Sequence, residues 1–141
     1  TQSAAPESGS GSAAAKNWDW NSQYWRALGA PWGGAHSSAG DVNLFLRSFL
    51  HPDGRVIQPA TARNMIRNHN FGLSTPRGLG FDKGSRLGKS LSPEAFGHSG
   101  STGTLAWADP KTDRSFVLLT SLPARTSRKT IINPVSDLLS A

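Results

Sequence analysis

The stretch FGHSGSTGT combines an imidazole with hydroxyl groups and glycines, which suits binding an anion or transferring an acyl group. It contains, in order, His98, Ser99, Gly100, Ser101 and Thr102. An imidazole exchanges protons near neutral pH, Gly100 lets a substrate backbone lie close, and neighbouring backbone N–H groups can stabilise a developing oxyanion. Taken alone, a glycine-rich hydroxyl cluster is more often only a turn, so the surrounding elements decide its meaning.

Apolar residues on both sides of this stretch predict antiparallel strands. We expect three of them, over about Ala95 to Ser99, Thr104 to Ala108, and Arg114 to Thr120. The segment DPKTD should join the last two as a hairpin. Side chains alternate along a strand, so His98 and Gly100 should share one face and Ser99 the other, unless the glycine-rich end twists. A shorter extended piece is expected at Gly78 to Phe81.

Helical patterns precede and follow these strands. From Ser38 onwards, apolar residues recur at spacings of three and four, and Ser38 with Asp41 resembles a capping box. A second helix should begin with Pro59 in its first turn and run to about Asn68. A terminal helix should start near Asn133. Helices, then strands, then a helix predict an α+β fold.

The N-terminal region has two parts of different composition. The first sixteen residues, TQSAAPESGSGSAAAK, are small or polar and predict a loop or linker, which leaves 17–141 as the domain. The next stretch is dense in aromatic residues, namely Trp18, Trp20, Tyr24, Trp25 and Trp32. We expect an anchored, half-buried segment whose rings pack over the edge of a core, with an aromatic ligand wall as the alternative.

The net charge of +6 is spread along the chain. Residues 1–70 carry six basic and four acidic side chains, and residues 71–141 carry nine and five. Only Arg125, Arg128 and Lys129 cluster, and no aromatic residues are interleaved with them. This pattern favours a solvated basic surface and argues against nucleic acid as a partner.

Several other classes of site are disfavoured by composition. The chain has no Cys, which excludes disulfides and thiolate metal sites. Its four His residues do not show the spacing of metal ligands, so we expect no metal site, and we expect no cofactor. No run of 18 apolar residues is present, so we expect no integral membrane segment.

The His98 stretch resembles the Lys-Thr-Gly motif of serine β-lactamases and penicillin-binding proteins, in the His-Ser-Gly form of class C-related esterases and D-Ala-D-Ala peptidases. Three upstream blocks resemble the same family in the same order: WGGAHSS before Asp41, QPAT before Met65, and GLGF at Gly78 to Phe81. The ordered set covers about Trp25 to Leu139. It implies the C-terminal part of a β-lactamase/transpeptidase-like fold, with an antiparallel sheet and flanking helices.

The resemblance implies a role for each residue of the stretch. His98 would stand beside the nucleophile, helping to place the substrate and to tune the proton network. Ser101 would contribute its backbone N–H to the oxyanion hole. Ser99 would offer a hydroxyl to the substrate, and Gly100 and Thr102 would line the substrate site.

The nucleophile that the resemblance calls for is missing from this sequence. The family uses Ser-x-x-Lys and a Tyr-x-Asn element. No Ser here has Lys three positions later, and the only Tyr, Tyr24, is followed by Trp25 and Arg26. We expect both motifs in an N-terminal part of the same domain that lies outside this chain, and we expect this chain alone to be inactive.

The function implied is that of a serine hydrolase acting on small-molecule or peptide substrates, at β-lactam, ester or peptide bonds, through an acyl-enzyme. An imidazole has a reference pKa of about 6.5 and holds a carboxylate less firmly than a lysine, which favours ester or peptide substrates over penicillins. The resemblance also implies a periplasmic or secreted location. The alternative is a non-catalytic penicillin-recognising or interaction domain.

Overall fold

A four-stranded antiparallel sheet forms the centre of the computed structural model, which describes residues 21–141. Its strands are β1 (Asp82–Lys83), β2 (Phe96–Gly100), β3 (Thr104–Asp109) and β4 (Arg114–Leu119). They lie in the order β1-β2-β3-β4, and each pairs with the next strand along the chain. The three strands predicted from the apolar pattern are present within one residue at each end. With helices on both sides, the sheet confirms the predicted α+β class.

Side-chain hydrogen bonds shape the hairpin between β3 and β4. The carboxylate of Asp109 accepts the N–H of Lys111 at 2.9 Å, and the carbonyl of Asp109 accepts the N–H of Thr112 at 3.3 Å. Asp113 closes the turn at a φ of 55°, a left-handed conformation that Asp tolerates better than most residues. The DPKTD segment therefore forms the predicted hairpin.

The prediction of an extended piece at Gly78 to Phe81 is wrong, because these residues form a tight turn. Gly78 donates its N–H to the carbonyl of Phe81 at 2.9 Å, and Gly80 has a φ of 82°. The turn brings Arg77 opposite Asp82 as an isolated antiparallel bridge. Strand β1 starts only at Asp82, where the chain becomes extended.

Helices flank the sheet in sequence as predicted, with two additions. The helices are α1 (Gln23–Leu28), α2 (Ala39–Leu50), α3 (Pro59–Ile66), α4 (Ala124–Ser127) and α5 (Asn133–Ser140). The predicted cap of α2 is present: Ser38 Oγ accepts the N–H of Asp41 at 3.1 Å and donates to its carboxylate at 2.8 Å. Helices α1 and α4 are additions, and a π-helical turn over Arg128–Ile132 joins α4 to α5.

The two faces of the sheet carry separate apolar clusters. One face packs against α2 and α3, through Leu46, Phe49, Ala62, Phe81, Phe96 and Ala108. The other packs against the C-terminal helical segment, through Leu87, Leu91, Ala95, Leu105, Trp107 and Ile132. The sheet is thus a middle layer. Strand β3 contributes to both sides by strand alternation, with Ala108 in the first cluster and Leu105 and Trp107 in the second.

The aromatic N-terminal segment is less buried than the sequence suggested. Trp25 is half-buried and meets Trp32 edge to face, with ring centroids 6.4 Å apart. Trp32 remains 77% exposed and Tyr24 is also exposed, so among the aromatic residues described in this segment the half-buried prediction holds only for Trp25. Helix α1 buries none of its residues, so it adds no layer to the core. Trp18, Trp20 and the predicted linker at 1–16 lie outside the described residues.

Candidate active site

Strand β2 runs from a buried start to an exposed end. Phe96 and Gly97 are buried, whereas His98 is exposed. Gly97 lies so close to β3 that an added Cβ would be 2.1 Å from the carbonyl oxygen of Ala106. Tight packing at the start of β2 therefore anchors the strand, and His98 emerges at the surface one residue later.

The imidazole of His98 has two defined neighbours. Its Nδ1 lies 2.8 Å from the carbonyl oxygen of Ser99, and its Nε2 lies 3.5 Å from Nη2 of Arg77. A carbonyl oxygen only accepts hydrogen bonds, so Nδ1 must carry the proton. The arginine only donates, so Nε2 presents its lone pair. Of the two neutral tautomers of His98, these partners favour the one protonated on Nδ1.

Arg77 is itself held by a buried carboxylate. Its Nη1 donates to Oδ1 of Asp82 at 2.5 Å, and Nε of Arg86 lies 3.3 Å from the same oxygen. Asp82 is only 6% exposed, so this shared pairing is well shielded from solvent. Two cations around one carboxylate leave a net positive charge beside His98.

Ser99 lies on the face opposite His98. Its Oγ accepts a hydrogen bond from Nη2 of Arg128 at 3.2 Å, and Arg128 belongs to the π-helical turn before α5. Ser99 pairs with Leu105, which belongs to the apolar cluster on the C-terminal helix side. The structure therefore brings His98 and Gly100 to one face and places the Ser99 hydroxyl on the other, as alternation predicts.

Hydrogen bonds from residues later in the chain fix the turn after β2. Gly103 donates its N–H to the carbonyl of Gly100 at 3.1 Å, and its own carbonyl accepts the hydroxyl of Thr120 at 2.8 Å. Ser101 is exposed, and its carbonyl accepts the N–H of Ala124 at 2.9 Å. Within residues 21–141, no oxygen accepts the N–H of Ser101. Thr102 is half-buried in the same turn.

Arg77 and Arg128 are the neighbours that sequence reasoning missed. Arg77 directly precedes the GLGF block, so the position of that block before β2 was the available signal. Arg128 was grouped with Arg125 and Lys129 as a solvated basic cluster, and nothing in the local sequence separates it from them.

The remaining histidines brace loops. His69 Nε2 lies 2.7 Å from the carbonyl of Asn64, at the C-terminal end of α3, and His36 Nδ1 lies 3.1 Å from the carbonyl of Gly34. His51 pairs with Asp113 at 2.7 Å. Among residues 21–141, no three His, Asp or Glu side chains lie together in a way that would hold a metal ion.

No helix in the described part of the chain has the length and apolar character needed to cross a bilayer.

Comparison with known proteins agrees with this architecture. A solved structure of a β-lactamase from Mycobacterium bovis superposes with a TM-score of 0.65 at 24% sequence identity, covering 73% of this chain and 43% of that protein. This chain thus spans less than half the length of that structure. No curated protein sequence matches the chain. The family model described as Beta-lactamase matches residues 1–138, and with this match over nearly the whole sequence, the chain belongs to the β-lactamase family.

Proposed function

We propose that this chain is the substrate-aligning part of a serine hydrolase that cleaves β-lactam, ester or peptide bonds through an acyl-enzyme. The observation that carries the proposal is the exposed end of β2, where His98 stands close in sequence to the N–H of Ser101, which no oxygen of residues 21–141 accepts. An unengaged backbone N–H at a surface turn is the kind of donor an oxyanion hole needs. Family membership supports the assignment of this end of β2 to substrate.

Each residue would act through a distinct group. The Ser101 N–H would donate to the carbonyl oxygen as it gains negative charge, and the Nε2 lone pair of His98 would accept a proton or a hydrogen bond from the reacting groups. Gly100 would let the substrate lie close to the strand, beside Thr102. The Ser99 hydroxyl, on the opposite face, would act with Arg128 at the end of the strand.

The nucleophilic serine would come from a further part of the same domain. Within the part of the sheet formed by residues 21–141, strand β4 lies at the edge and carries the apolar sequence FVLL. Its outer side would therefore offer backbone groups for pairing with more strands. Leu44 and Phe45 on α2 and Leu138 on α5 are exposed apolar side chains that such a part would cover. The serine would bond to the acyl carbon and release the leaving group, and water would then hydrolyse the acyl ester.

Among β-lactam, ester and peptide bonds, we favour ester or peptide bonds as the ones that are cleaved. An imidazole holds a substrate carboxylate less firmly than the ammonium group of the family's lysine, which is a compact point charge. A periplasmic or secreted location is part of the same proposal.

A non-catalytic penicillin-recognising or interaction domain is the second candidate. It is favoured by one observation, the absence of Ser-x-x-Lys from this sequence. Such a domain would keep the same sheet and the same end of β2 but would not turn over substrate.

Variants of two histidines test the proposal in the complete enzyme that contains this chain. His98→Ala should lower kcat/KM for p-nitrophenyl butyrate by about 100-fold, the usual contribution of one proton-transferring group. His69→Ala is the control, because its ring only braces the end of α3. Equal losses in the two variants would remove His98 from the site, and a complete protein without turnover would favour the second candidate.

A further inference from the structure

A cleft of about 420 Å³ lies beside the edge strand β1, and none of its lining residues belongs to the His98–Thr102 segment. Its lining includes Lys83, Ser85 and Arg86. The loop after α3 adds Ser74 and Thr75 to the lining. The cleft therefore combines basic groups and hydroxyl groups.

Lys83 is an unusual lining residue because it is only 5% exposed. Its ammonium donates to the carbonyl oxygen of Glu94 at 2.5 Å. An ammonium has three donors, and no other oxygen within residues 21–141 accepts from it. A buried cation with two unmet donors is costly unless a partner is supplied.

Both charged residues of the lining are basic. They are Lys83 and Arg86, and no carboxylate lines the cleft. Arg86 shares the carboxylate of Asp82 with Arg77, so that single negative charge is divided between two guanidinium groups. Burial lowers the pKa of Lys83, against the opposing attraction of Glu94 and Asp109. An anion in the cleft would relieve this cost by favouring the charged ammonium.

Apolar groups complete the lining. Leu91 and Pro93 belong to the segment that leads into β2, and both border the cleft. An inorganic anion would leave these groups without a partner. An organic anion would use them for its hydrocarbon part, as ligand sites commonly combine apolar walls with a few placed polar groups.

We propose that this cleft binds a small organic carboxylate, with the carboxylate between Lys83 and Arg86 and the apolar part against Leu91 and Pro93. The hydroxyls of Ser74, Thr75 and Ser85 supply neutral donors around the charged end. None of the residues proposed to hold the anion belongs to the His98–Thr102 segment, and the two sites are linked only where Arg86 shares the carboxylate of Asp82 with Arg77.

Sodium benzoate is the probe, titrated into the purified chain at constant ionic strength by calorimetry and by amide NMR. Benzamide, which has the same shape without the charge, is the matched ligand control, and we expect it to bind at least about tenfold more weakly. Inorganic phosphate is the second control and should bind more weakly than benzoate, because it lacks the apolar part. The amide shifts caused by benzoate should centre on Lys83 to Arg86 and on Ser74 and Thr75.

Three variants test the residues. Lys83→Met should weaken benzoate binding about tenfold or more, since a charge-assisted hydrogen bond is lost. Arg86→Gln should weaken it several-fold and should leave the fold intact, because this side chain is half exposed and Asp82 keeps Arg77. Lys129→Met removes the same charge from an exposed position outside the cleft and should leave affinity unchanged.

Four results would overturn the proposal. These are equal affinity for benzoate and benzamide, tighter binding of phosphate than of benzoate, undiminished binding in Arg86→Gln, and amide shifts confined to His98–Thr102. If Lys83→Met does not fold, the Arg86→Gln result and the shift map still decide the question.

Discussion

His98 and Ser99 are adjacent in β2, but their side chains lie on opposite faces of the sheet. The imidazole faces Arg77, with Nε2 to Nη2 at 3.5 Å, and the hydroxyl accepts from Arg128 at 3.2 Å. Each side chain is thus paired with an arginine from a different element. A substrate approaching the end of β2 would meet a positively charged group on either face.

The tautomer of His98 is the first prediction. Its neighbours assign the proton to Nδ1, which donates to the carbonyl of Ser99. Nitrogen-detected NMR of the imidazole at a pH where it is neutral should therefore show a protonated Nδ1 and an unprotonated Nε2. Arg77→Gln should alter the Nε2 signal more than the Nδ1 signal. A proton on Nε2 in the neutral ring would contradict the assignment.

The turn after β2 should be intolerant of side chains. Gly103 has a φ of 83°, and an added Cβ would lie 1.7 Å from the carbonyl oxygen of Leu122. Gly103→Ala should therefore lower the free energy of unfolding by about 3 kcal/mol or more, combining backbone strain with a clash. Urea unfolding measures the loss.

Gly40→Ala is the matched control for that substitution. Gly40 lies in the first turn of α2, where the nearest atom to an added Cβ is 3.7 Å away. Alanine there should be neutral or stabilising by up to about 1 kcal/mol. A similar loss in both variants would show that the Gly103 turn has no special constraint.

Acid should destabilise the protein through Asp109. This carboxylate is buried, which opposes its ionisation, but hydrogen bonds from the hydroxyl and N–H of Ser92 and the N–H of Lys111 outweigh burial and lower its pKa. A lowered native pKa stabilises the fold above the unfolded value of about 3.9, and this stabilisation is lost as pH falls through the native pKa. The free energy of unfolding should therefore fall as pH drops below about 4.

Asp109→Asn isolates that effect. At neutral pH it should lower the free energy of unfolding by about 2 kcal/mol, because one acceptor of the Ser92 pair becomes a donor. The difference from the native protein should shrink as the pH is lowered from 7 to 2. A difference that stays constant over this range would mean that Asp109 titrates alike in both states.

Local patterns in the sequence were sufficient to predict most strands of the sheet and helix α2. Strands β2, β3 and β4 are short apolar runs between turn residues, and the start of α2 follows from the Ser38 and Asp41 cap. These features depend on neighbours within a few residues, and such interactions can be inferred from spacing alone.

The features that were predicted wrongly or missed depend mostly on tertiary contacts. The GLGF segment has the composition of a strand, but an added Cβ at Gly78 would lie 2.5 Å from the carbonyl of Met65 in α3, and that close approach is invisible in the sequence. Helix α1 was not predicted, because it contains aromatic residues, which are weak helix formers. The contact of Arg77 with His98 joins residues 21 positions apart and depends on the turn before β1.

We propose that this chain aligns substrate but carries no nucleophile. The most direct test of this proposal is intact-mass analysis of the purified chain after incubation with a fluorescent penicillin, together with an assay of p-nitrophenyl butyrate hydrolysis. We expect an unchanged mass and no turnover, because no Ser in the sequence has Lys three positions later. A stable acyl adduct on any serine of the chain would contradict it.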